Sequence, residues 1–128
     1  MEILGLGIDL IKNSRIKKLL KNKKFLKRIY SPREILISMK FKNKINFFAK
    51  RFAAKEAFVK SIGSGFRKNL NFNDVSIINN KHGKPSFLIT KKLKIIIKKK
   101  FKIKSFNFLL SISDEKNYSI AIVIFQKI

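Results

Sequence analysis

The sequence predicts an α+β fold, in which one small domain packs a mainly antiparallel sheet against a long helix. Its 128 residues are enough for one hydrophobic core, and no linker or repeat divides them, so we treat residues 1–128 as a single domain. Apolar runs near both ends are typical of strands, and residues 45–62 carry the longest helical pattern. Hydrophobic residues make up 45% of the chain, a share that favours a folded protein over a disordered one.

The N-terminal part of the chain predicts a strand followed by a basic helix. Residues 2–11 are apolar and have the length of a buried strand. In residues 13–29 the apolar side chains recur at helical spacing with lysines between them, and Asn22 marks a break. We therefore expect an amphipathic helix in two pieces.

The string SPRE predicts the start of the next helix. Ser31 can cap it, Pro32 suits its first turn, and Glu34 stands where it completes a capping box. This helix should end near Asn43, before the long helix begins.

The second half of the chain alternates between short apolar runs and polar turn residues, a pattern typical of hairpins. The sequence first predicts a hairpin, with strands at 74–80 and 86–90 around a turn at 81–85. A lysine-rich helix at 91–100 follows. A second hairpin ends the pattern, with strands at 105–113 and 118–126 around a turn at 114–117.

The chain is strongly basic, with 31 Lys and Arg residues against 7 Asp and Glu and a formal net charge of +24. Such a field attracts nucleic acid, anionic lipid, phosphate-rich cofactors or acidic proteins. Genome composition also favours Lys, Ile, Asn and Phe where codons are AT-rich, so charge alone does not decide the function. The absence of cysteine excludes disulfides and thiolate metal sites and fits a cytoplasmic location. We expect neither a signal peptide nor a membrane helix, which needs ~20 apolar residues.

Asp9 is the first of two carboxylates whose positions need an explanation. Alternate residues of a strand share a face, so Gly5, Gly7 and Asp9 lie together. Glycine weakens a strand and often marks close approach by a ligand or another backbone. Two interpretations stay open. The glycines leave an open space for a ligand, or the strand packs closely on a helix and Asp9 caps the helix that follows.

Glu56 is the second such carboxylate. Lys50, Arg51 and Lys55 group on one side of the long helix, whereas Glu56 lies on the other side among small residues, with Lys60 one turn away. An exposed Glu–Lys pair worth ~0.3 kcal/mol is the simple alternative. Such a pair should share the face of the other cations, however, so the small neighbours indicate room for a bound group.

Two carboxylates without His or Cys partners suit Mg²⁺, which takes one or two carboxylates and completes its shell with water and substrate phosphates. Lys60 and the string SIGSG that follows it suit a phosphate, although the string lacks the GK[ST] ending of a Walker loop. The residues therefore predict a site for a divalent cation and a phosphate at Asp9, Glu56 and Lys60.

Segments along the whole chain resemble the small bacterial holo-[acyl-carrier-protein] synthases, a family of 4′-phosphopantetheinyl transferases. The matching segments are ILGLGIDL at 3–10, FFAKRFAAKEAFVKSIGSG at 47–65, LNFNDVSI at 70–77, GKP at 83–85 and LSISDEKNYSIAIVIF at 110–125. The combination of GxGxD with RFAAKEA is specific, whereas neither motif alone would be.

The resemblance implies a 4′-phosphopantetheinyl transferase-like fold and a Mg²⁺-dependent enzyme, with Mn²⁺ as a possible substitute. Such an enzyme moves the 4′-phosphopantetheine arm of coenzyme A to a serine of apo acyl carrier protein, releases adenosine 3′,5′-bisphosphate and supports fatty acid biosynthesis. It implies that Asp9 and Glu56 bind the metal and that Lys60 contacts the pyrophosphate. Further contacts with coenzyme A are expected at Gly63, Gly65, Gly83, Lys84 and Pro85.

The resemblance also implies a homotrimer with active sites between subunits. The terminal segment YSIAIVIFQ has no polar alternation, so we expect both of its faces to be covered, one of them by self-association. Because acyl carrier protein is strongly acidic, we expect it to dock on basic residues of the first helical segment. These residues are Arg15, Lys18, Lys24 and Arg28.

The base that takes the serine proton stays open. Some family members have a histidine in the terminal turn where this chain has Asp114, so Asp114, Glu115 or a water on the metal is the candidate. A basic nucleic-acid-binding protein would explain the charge but not Asp9 and Glu56. A degenerate transferase kept as a binding module would not need all of Asp9, Glu56 and Lys60. We therefore expect coenzyme A and a carrier protein as partners, and neither nucleic acid nor a membrane.

Overall fold

Three antiparallel strands form the main sheet of the computed structural model, which describes residues 1–63 and 70–128. They are β1 (Glu2–Lys12), β4 (Phe106–Asp114) and β5 (Tyr118–Lys127), in the spatial order β1–β5–β4. Ala121 of β5 lies opposite Asp9 on one side and Ile112 on the other. The sheet confirms the predicted fold class and the predicted C-terminal hairpin.

The second hairpin consists of β2 (Ser76–Asn79) and β3 (Pro85–Leu88), as the turn residues predicted. The side chain of Asn80 closes its turn by accepting two backbone N–H groups, each at 2.9 Å. The predicted strand start at Asp74 is two residues early, because Asp74 ends a 3₁₀ turn (Phe72–Asp74) and its carboxylate accepts a backbone N–H there.

The helices have the predicted order, with one shifted boundary. They are α1 (Asn13–Leu19), α2 (Lys23–Ile29), α3 (Pro32–Ser38), α4 (Lys44–Ile62) and α5 (Lys91–Phe101). Asn22 breaks the first segment as predicted, since its side chain caps α2. The capping box of Ser31 and Glu34 is also confirmed. Helix α3 ends at Ser38 and not near Asn43, because the Asn43 side chain caps the start of α4.

Helix α4 lies against β1 at backbone contact distance. A Cβ atom on Gly5 would lie 1.8 Å from the carbonyl oxygen of Ser61, and one on Gly7 would lie 1.8 Å from that of Ala57. Any side chain at either position would push the helix away. The space above the two glycines is therefore filled by α4, so the expected open space for a ligand there is wrong and the close-packing interpretation is confirmed.

Phenylalanines fill much of the core between α4 and the sheet. Phe58 of α4 contacts Phe87 and Phe108, with ring centroids 4.9 and 4.5 Å apart. Phe108 in turn stacks on Phe125 of β5 at 4.7 Å. This cluster joins the long helix to both hairpins.

The opposite face of the main sheet is apolar and exposed in the single chain. Leu6 and Leu10 of β1 are each 61% exposed, and Ile8, Leu109 and Ile122 are exposed beside them. The prediction that β1 is buried is thus correct for one face only. Strand β5 likewise buries one face, and on the other face its residues 118, 120, 122 and 124 are half-exposed or exposed, so no described residue covers that part of the second face.

We expect Gly7→Ala to lower the free energy of unfolding by about 1–3 kcal/mol, the usual cost of overpacking. The added methyl group would meet a backbone carbonyl, which cannot swing aside. Urea denaturation measures the change, and Ser105→Ala at an exposed position before β4 is the control, with an expected effect within about 0.5 kcal/mol. An unchanged or raised stability of Gly7→Ala would contradict the close contact between β1 and α4.

Candidate active site

Asp9 and Lys60 form an ion pair between β1 and α4. Lys60 Nζ lies 3.1 Å from Asp9 Oδ1 and donates to the carbonyl oxygen of Ile8 at 2.9 Å. The Asp9 side chain is 17% exposed and that of Lys60 is 51% exposed, so the pair lies at the edge of the core. The interpretation of Asp9 as a helix cap is wrong, because Lys12 is the N-cap residue of α1 and no side chain caps that end.

Glu56 lies on the same flank of α4 as this ion pair and is half-buried. It is one turn before Lys60 and directly before Ala57, whose carbonyl oxygen marks the contact with Gly7. Gly7 and Asp9 lie two residues apart on the same face of β1. The close approach of α4 to β1 therefore pairs Asp9 with Lys60 and leaves Glu56 one turn before Lys60 on the same helix.

The predicted contacts with coenzyme A fall in two places. Gly63 ends α4 with φ +88°, a conformation that favours glycine, and no described residue comes within 4 Å of where its Cβ would be. Gly65 lies outside the described residues. Gly83 is in the β2–β3 turn with φ +84°, next to the exposed Lys84 and the half-buried Pro85. The structure does not bring this turn together with Asp9 in one chain.

A cleft of about 580 Å³ opens on the other flank of α4, and Gly83 lines it. Its lining also includes three cations and one carboxylate, namely Arg33, Lys50, Arg51 and Asp114. At ~100° per residue, Arg51 lies about 140° around α4 from Glu56. The cleft and the Asp9 ion pair therefore face different sides of the helix.

The two carboxylates of the β4–β5 turn differ in their surroundings. Glu115 Oε1 accepts the backbone N–H groups of Asn117 and Tyr118, both at 2.7 Å, so this side chain closes its own turn. Asp114 Oδ2 accepts from Asn46 Nδ2 at 2.7 Å, and Asp114 reaches the cleft. Of the two candidate carboxylates, Asp114 lines the cleft, whereas Glu115 is engaged in its own turn.

Glu34 is a buried ionic centre as well as a helix cap. Its Oε1 accepts from Ser31 N at 3.0 Å and from Lys55 Nζ at 2.6 Å, while Oε2 accepts from Ile77 N at 3.1 Å. Arg51 Nε lies 3.8 Å from Oε2, and Arg51 Nη2 donates to an asparagine side chain at 2.9 Å. The side chains of Glu34 and Lys55 are both completely buried.

Sequence reasoning missed this network. It grouped Arg51 and Lys55 with Lys50 on a side of α4 that it treated as solvated, whereas both are buried. Both cations stand among alanines and phenylalanines, the same surroundings that singled out Glu56, so that signal applied to them equally. Burial lowers the pKa of Lys55, and the Glu34 carboxylate opposes that shift.

The residues predicted to dock an acidic partner are all exposed. Arg15 and Lys18 lie on α1, and Lys24 and Arg28 lie on α2. They are thus available to a partner, on two short helices separated by the turn at Asn22.

Comparison with known proteins identifies the family. Residues 5–123 match the model of the 4′-phosphopantetheinyl transferase superfamily. The chain is 62% identical to the holo-[acyl-carrier-protein] synthase of Pelagibacter ubique over 127 residues, which is 99% of each chain. It is 46% identical to the synthase of Ehrlichia chaffeensis over 95% of each chain. The chain therefore belongs to the 4′-phosphopantetheinyl transferase superfamily.

Solved structures show the same fold. The holo-[acyl-carrier-protein] synthase of Neisseria meningitidis superposes with a TM-score of 0.86 at 35% identity, covering 98% of this chain and 99% of that one. The synthase of Bacillus anthracis, solved in complex with CoA (3′,5′-ADP), superposes with a TM-score of 0.81 at 32% identity, covering 99% of each chain. The predicted transferase-like fold and the resemblance are both confirmed.

We expect Lys55→Met to lower the free energy of unfolding by ~3–5 kcal/mol, because it leaves the buried Glu34 carboxylate without the closer of its two cations. Adding Glu34→Gln should recover most of the loss, since glutamine is neutral and still fits the capping box. Urea denaturation of both variants checks this, with the exposed Lys94→Met as the control. A single variant as stable as the wild type would show that the pair is not a stabilising contact.

Proposed function

We propose that this chain is a holo-[acyl-carrier-protein] synthase, which transfers 4′-phosphopantetheine from coenzyme A to a serine of apo acyl carrier protein. The observation that carries the proposal is the cluster of Asp9, Glu56 and Lys60 at the contact between β1 and α4. Relatives named as such synthases match the chain over nearly its full length. A nucleic-acid-binding function would use the basic surface but would leave this cluster without a role.

The proposed site fits Mg²⁺ by the chemistry of its donors. No group of three or more metal-ligating side chains occurs among residues 1–63 and 70–128, and Asp9 and Glu56 supply carboxylate oxygens alone. Two carboxylates suit Mg²⁺, which takes its remaining ligands from water and substrate phosphates. When bound, the ion would offset the charge of the pyrophosphate; Mn²⁺ has the same ligand preference and is a possible substitute.

Lys60 would support the leaving phosphate in this reaction. The serine oxygen forms a bond to the β-phosphorus of coenzyme A, and the bond from that phosphorus to the bridging oxygen breaks. Negative charge then develops on adenosine 3′,5′-bisphosphate. Lys60 has three donors, of which Ile8 O and Asp9 accept two, and its exposed ammonium can give the third to a phosphate oxygen.

The proposed trimer would complete the site between subunits. The cleft and the Asp9 cluster face different sides of α4. One ligand molecule would therefore not contact both of them within a single chain. A neighbour's cleft would supply Arg33 and Lys50 to the phosphates at the adenosine end, together with its Gly83 turn. Asp114 would then be the candidate base for the serine proton, since Glu115 is engaged in its own turn.

The carrier protein is proposed to dock on Arg15, Lys18, Lys24 and Arg28. Their exposure and the acidity expected of the partner support this surface. The cytoplasmic location stays a prediction. Within the described residues no helix has the length and apolarity to cross a bilayer.

Mass spectrometry of apo acyl carrier protein incubated with this protein, coenzyme A and Mg²⁺ tests the function, with a phosphopantetheine mass shift as the expected result. Asp9→Asn and Glu56→Gln should each slow the transfer by roughly 10²-fold or more, because each removes a charged group placed for the reaction. Glu2→Gln removes an exposed carboxylate of the same strand and is the control. Normal rates in either site variant at limiting Mg²⁺ would remove the metal hypothesis.

Charge reversal on the proposed docking surface should raise the KM for the carrier protein and leave the KM for coenzyme A unchanged. The variant Arg15→Glu/Arg28→Glu tests this, and Lys91→Glu/Lys94→Glu on α5 changes the net charge equally at another exposed surface. Steady-state kinetics at several salt concentrations separate local docking from screened long-range attraction. If both double variants raise the KM for the carrier protein equally, the cause is the change in net charge and not this surface.

Light scattering at micromolar concentration should give three times the chain mass. The exposed face around Leu6 and Ile8 is the proposed interface, so Ile8→Lys should dissociate the trimer and abolish activity. Leu36→Lys replaces an exposed apolar residue on α3, 66% exposed against 53% for Ile8, and should leave the trimer intact. An active wild-type monomer would contradict both the interface and the shared site, whereas a dimer would contradict only the stoichiometry.

A further inference from the structure

The buried Glu34 carboxylate joins three elements of the fold. It accepts the backbone N–H of Ser31 at the start of α3, the ammonium of Lys55 on α4 and the backbone N–H of Ile77 on β2. A capping role alone would need only the first of these contacts. The other two tie the long helix to the second hairpin.

Lys55 uses its whole ammonium group in this contact. Its Nζ donates to Glu34 Oε1, to the carbonyl oxygen of Phe72 at 2.9 Å and to the carbonyl oxygen of Val75. Three acceptors match the three protons of a lysine ammonium. Since the side chain is fully buried and held at its tip, it resists rotation of α4 about its own axis.

Rotation of α4 is the motion to which the candidate active site is most sensitive. The two glycine contacts set how closely the helix approaches β1, but they contact its backbone only. Glu56 follows Lys55 directly, about 100° further around the helix. Side chains reach ~5–6 Å from a helix axis, so a rotation of about 10° moves the Glu56 carboxylate by about 1 Å. Such a shift is large for a site that needs its groups placed within about 0.5 Å.

We propose that the Glu34–Lys55 pair is a positioning device for the reaction, which fixes the rotation of α4 and so the placement of the Glu56 carboxylate relative to Asp9. This role rests on the proposed function, because it concerns the divalent cation and pyrophosphate assigned to that site. Neither Glu34 nor Lys55 contacts substrate, and both act through Glu56.

A purely structural role is the alternative, and a neutral pair separates the two. In Glu34→Gln/Lys55→Met the glutamine oxygen can still accept from Ser31, whereas the Ile77 N–H loses its carboxylate acceptor. Methionine fills the volume of the lysine stem. The double variant therefore leaves no unpaired buried carboxylate, and it lacks the ionic anchor that holds the rotation of the helix.

The test compares thermal stability with cation binding in three proteins: the wild type, Glu34→Gln/Lys55→Met and Ile97→Ala. Ile97 is buried in α5, so its truncation destabilises the fold without changing any residue of α4. Mn²⁺ is titrated in the presence of saturating coenzyme A and followed by electron paramagnetic resonance, with Asp9→Asn as the baseline. The Mg²⁺ concentration for half-maximal transfer is measured in parallel.

The double variant should melt close to the wild type yet bind Mn²⁺ about 10- to 100-fold more weakly, as is usual when a group that orients a ligand is lost. Ile97→Ala should melt lower and keep wild-type Mn²⁺ affinity. Wild-type affinity in the double variant would overturn the positioning role while leaving the proposed function intact. A wild-type protein that binds no Mn²⁺ above the Asp9→Asn baseline would overturn the metal site and, with it, this role.

If the double variant does not fold, Lys55→Arg takes its place. It keeps the charge beside Glu34 but alters the reach and geometry of the donor. Weaker Mn²⁺ binding at retained stability supports the positioning role, and unchanged binding contradicts it.

Discussion

The contact between α4 and β1 is the constraint on which the rest of the structure depends. Two glycines let the carbonyl oxygens of Ala57 and Ser61 approach the strand to a distance that no side chain permits. That approach puts Lys60 within ion-pair distance of Asp9 and brings Glu56 to the same flank. The strand and the helix therefore form the candidate site by their packing, without a separate loop to carry it.

On its other flank the same helix is held by charge. A completely buried carboxylate, Glu34, lies among backbone donors and the cations Lys55 and Arg51. Removing two charges from water costs free energy, so such a network is retained where its geometry is well satisfied or where it has a further use. The two glycines thus set the distance between α4 and β1, and the Glu34–Lys55 ion pair sets the rotation of α4 about its own axis.

The few acidic residues of this basic chain have specific structural partners. Asp9 pairs with Lys60 and Asp74 with Lys92, while Glu115 closes a turn and Asp114 accepts from Asn46. Carboxylates are scarce here, and their scarcity made them informative in the sequence. Cations are abundant in this chain, so the burial of Arg51 and Lys55 could not be recognised in the same way.

Much of the fold could be predicted from the sequence because its local signals are strong. The break at Asn22, the capping box at Ser31 and the hairpin turns depend on nearby residues, and the structure confirms them. What the glycines of β1 contact could not be predicted, because alternation shows which residues share a face but not what lies above that face. The burial of Lys55 depends on Glu34, 21 residues away, and no local pattern reveals that pairing.

The candidate site was predicted in part for the same reason. Asp9, Glu56 and Lys60 were predicted from their unusual neighbours, and the structure pairs Asp9 with Lys60, one turn after Glu56 on α4. The separation of the Gly83 turn from this cluster follows from the path of α4 between them, which is a property of the whole chain. If the active site is shared, the Gly83 turn of one chain would meet the Asp9 cluster of its neighbour.

The most direct test of the shared site is complementation between inactive chains. One chain carries Glu56→Gln, and the other carries Arg33→Glu/Lys50→Glu in the cleft. Mixed trimers are isolated by two different tags, and transfer to apo acyl carrier protein is measured by mass spectrometry. Each variant alone should be inactive, and the mixed trimers should regain activity, because a closed ring of both chains joins an intact carboxylate cluster to an intact cleft. Mixed trimers as inactive as the separate variants would contradict an active site divided between subunits.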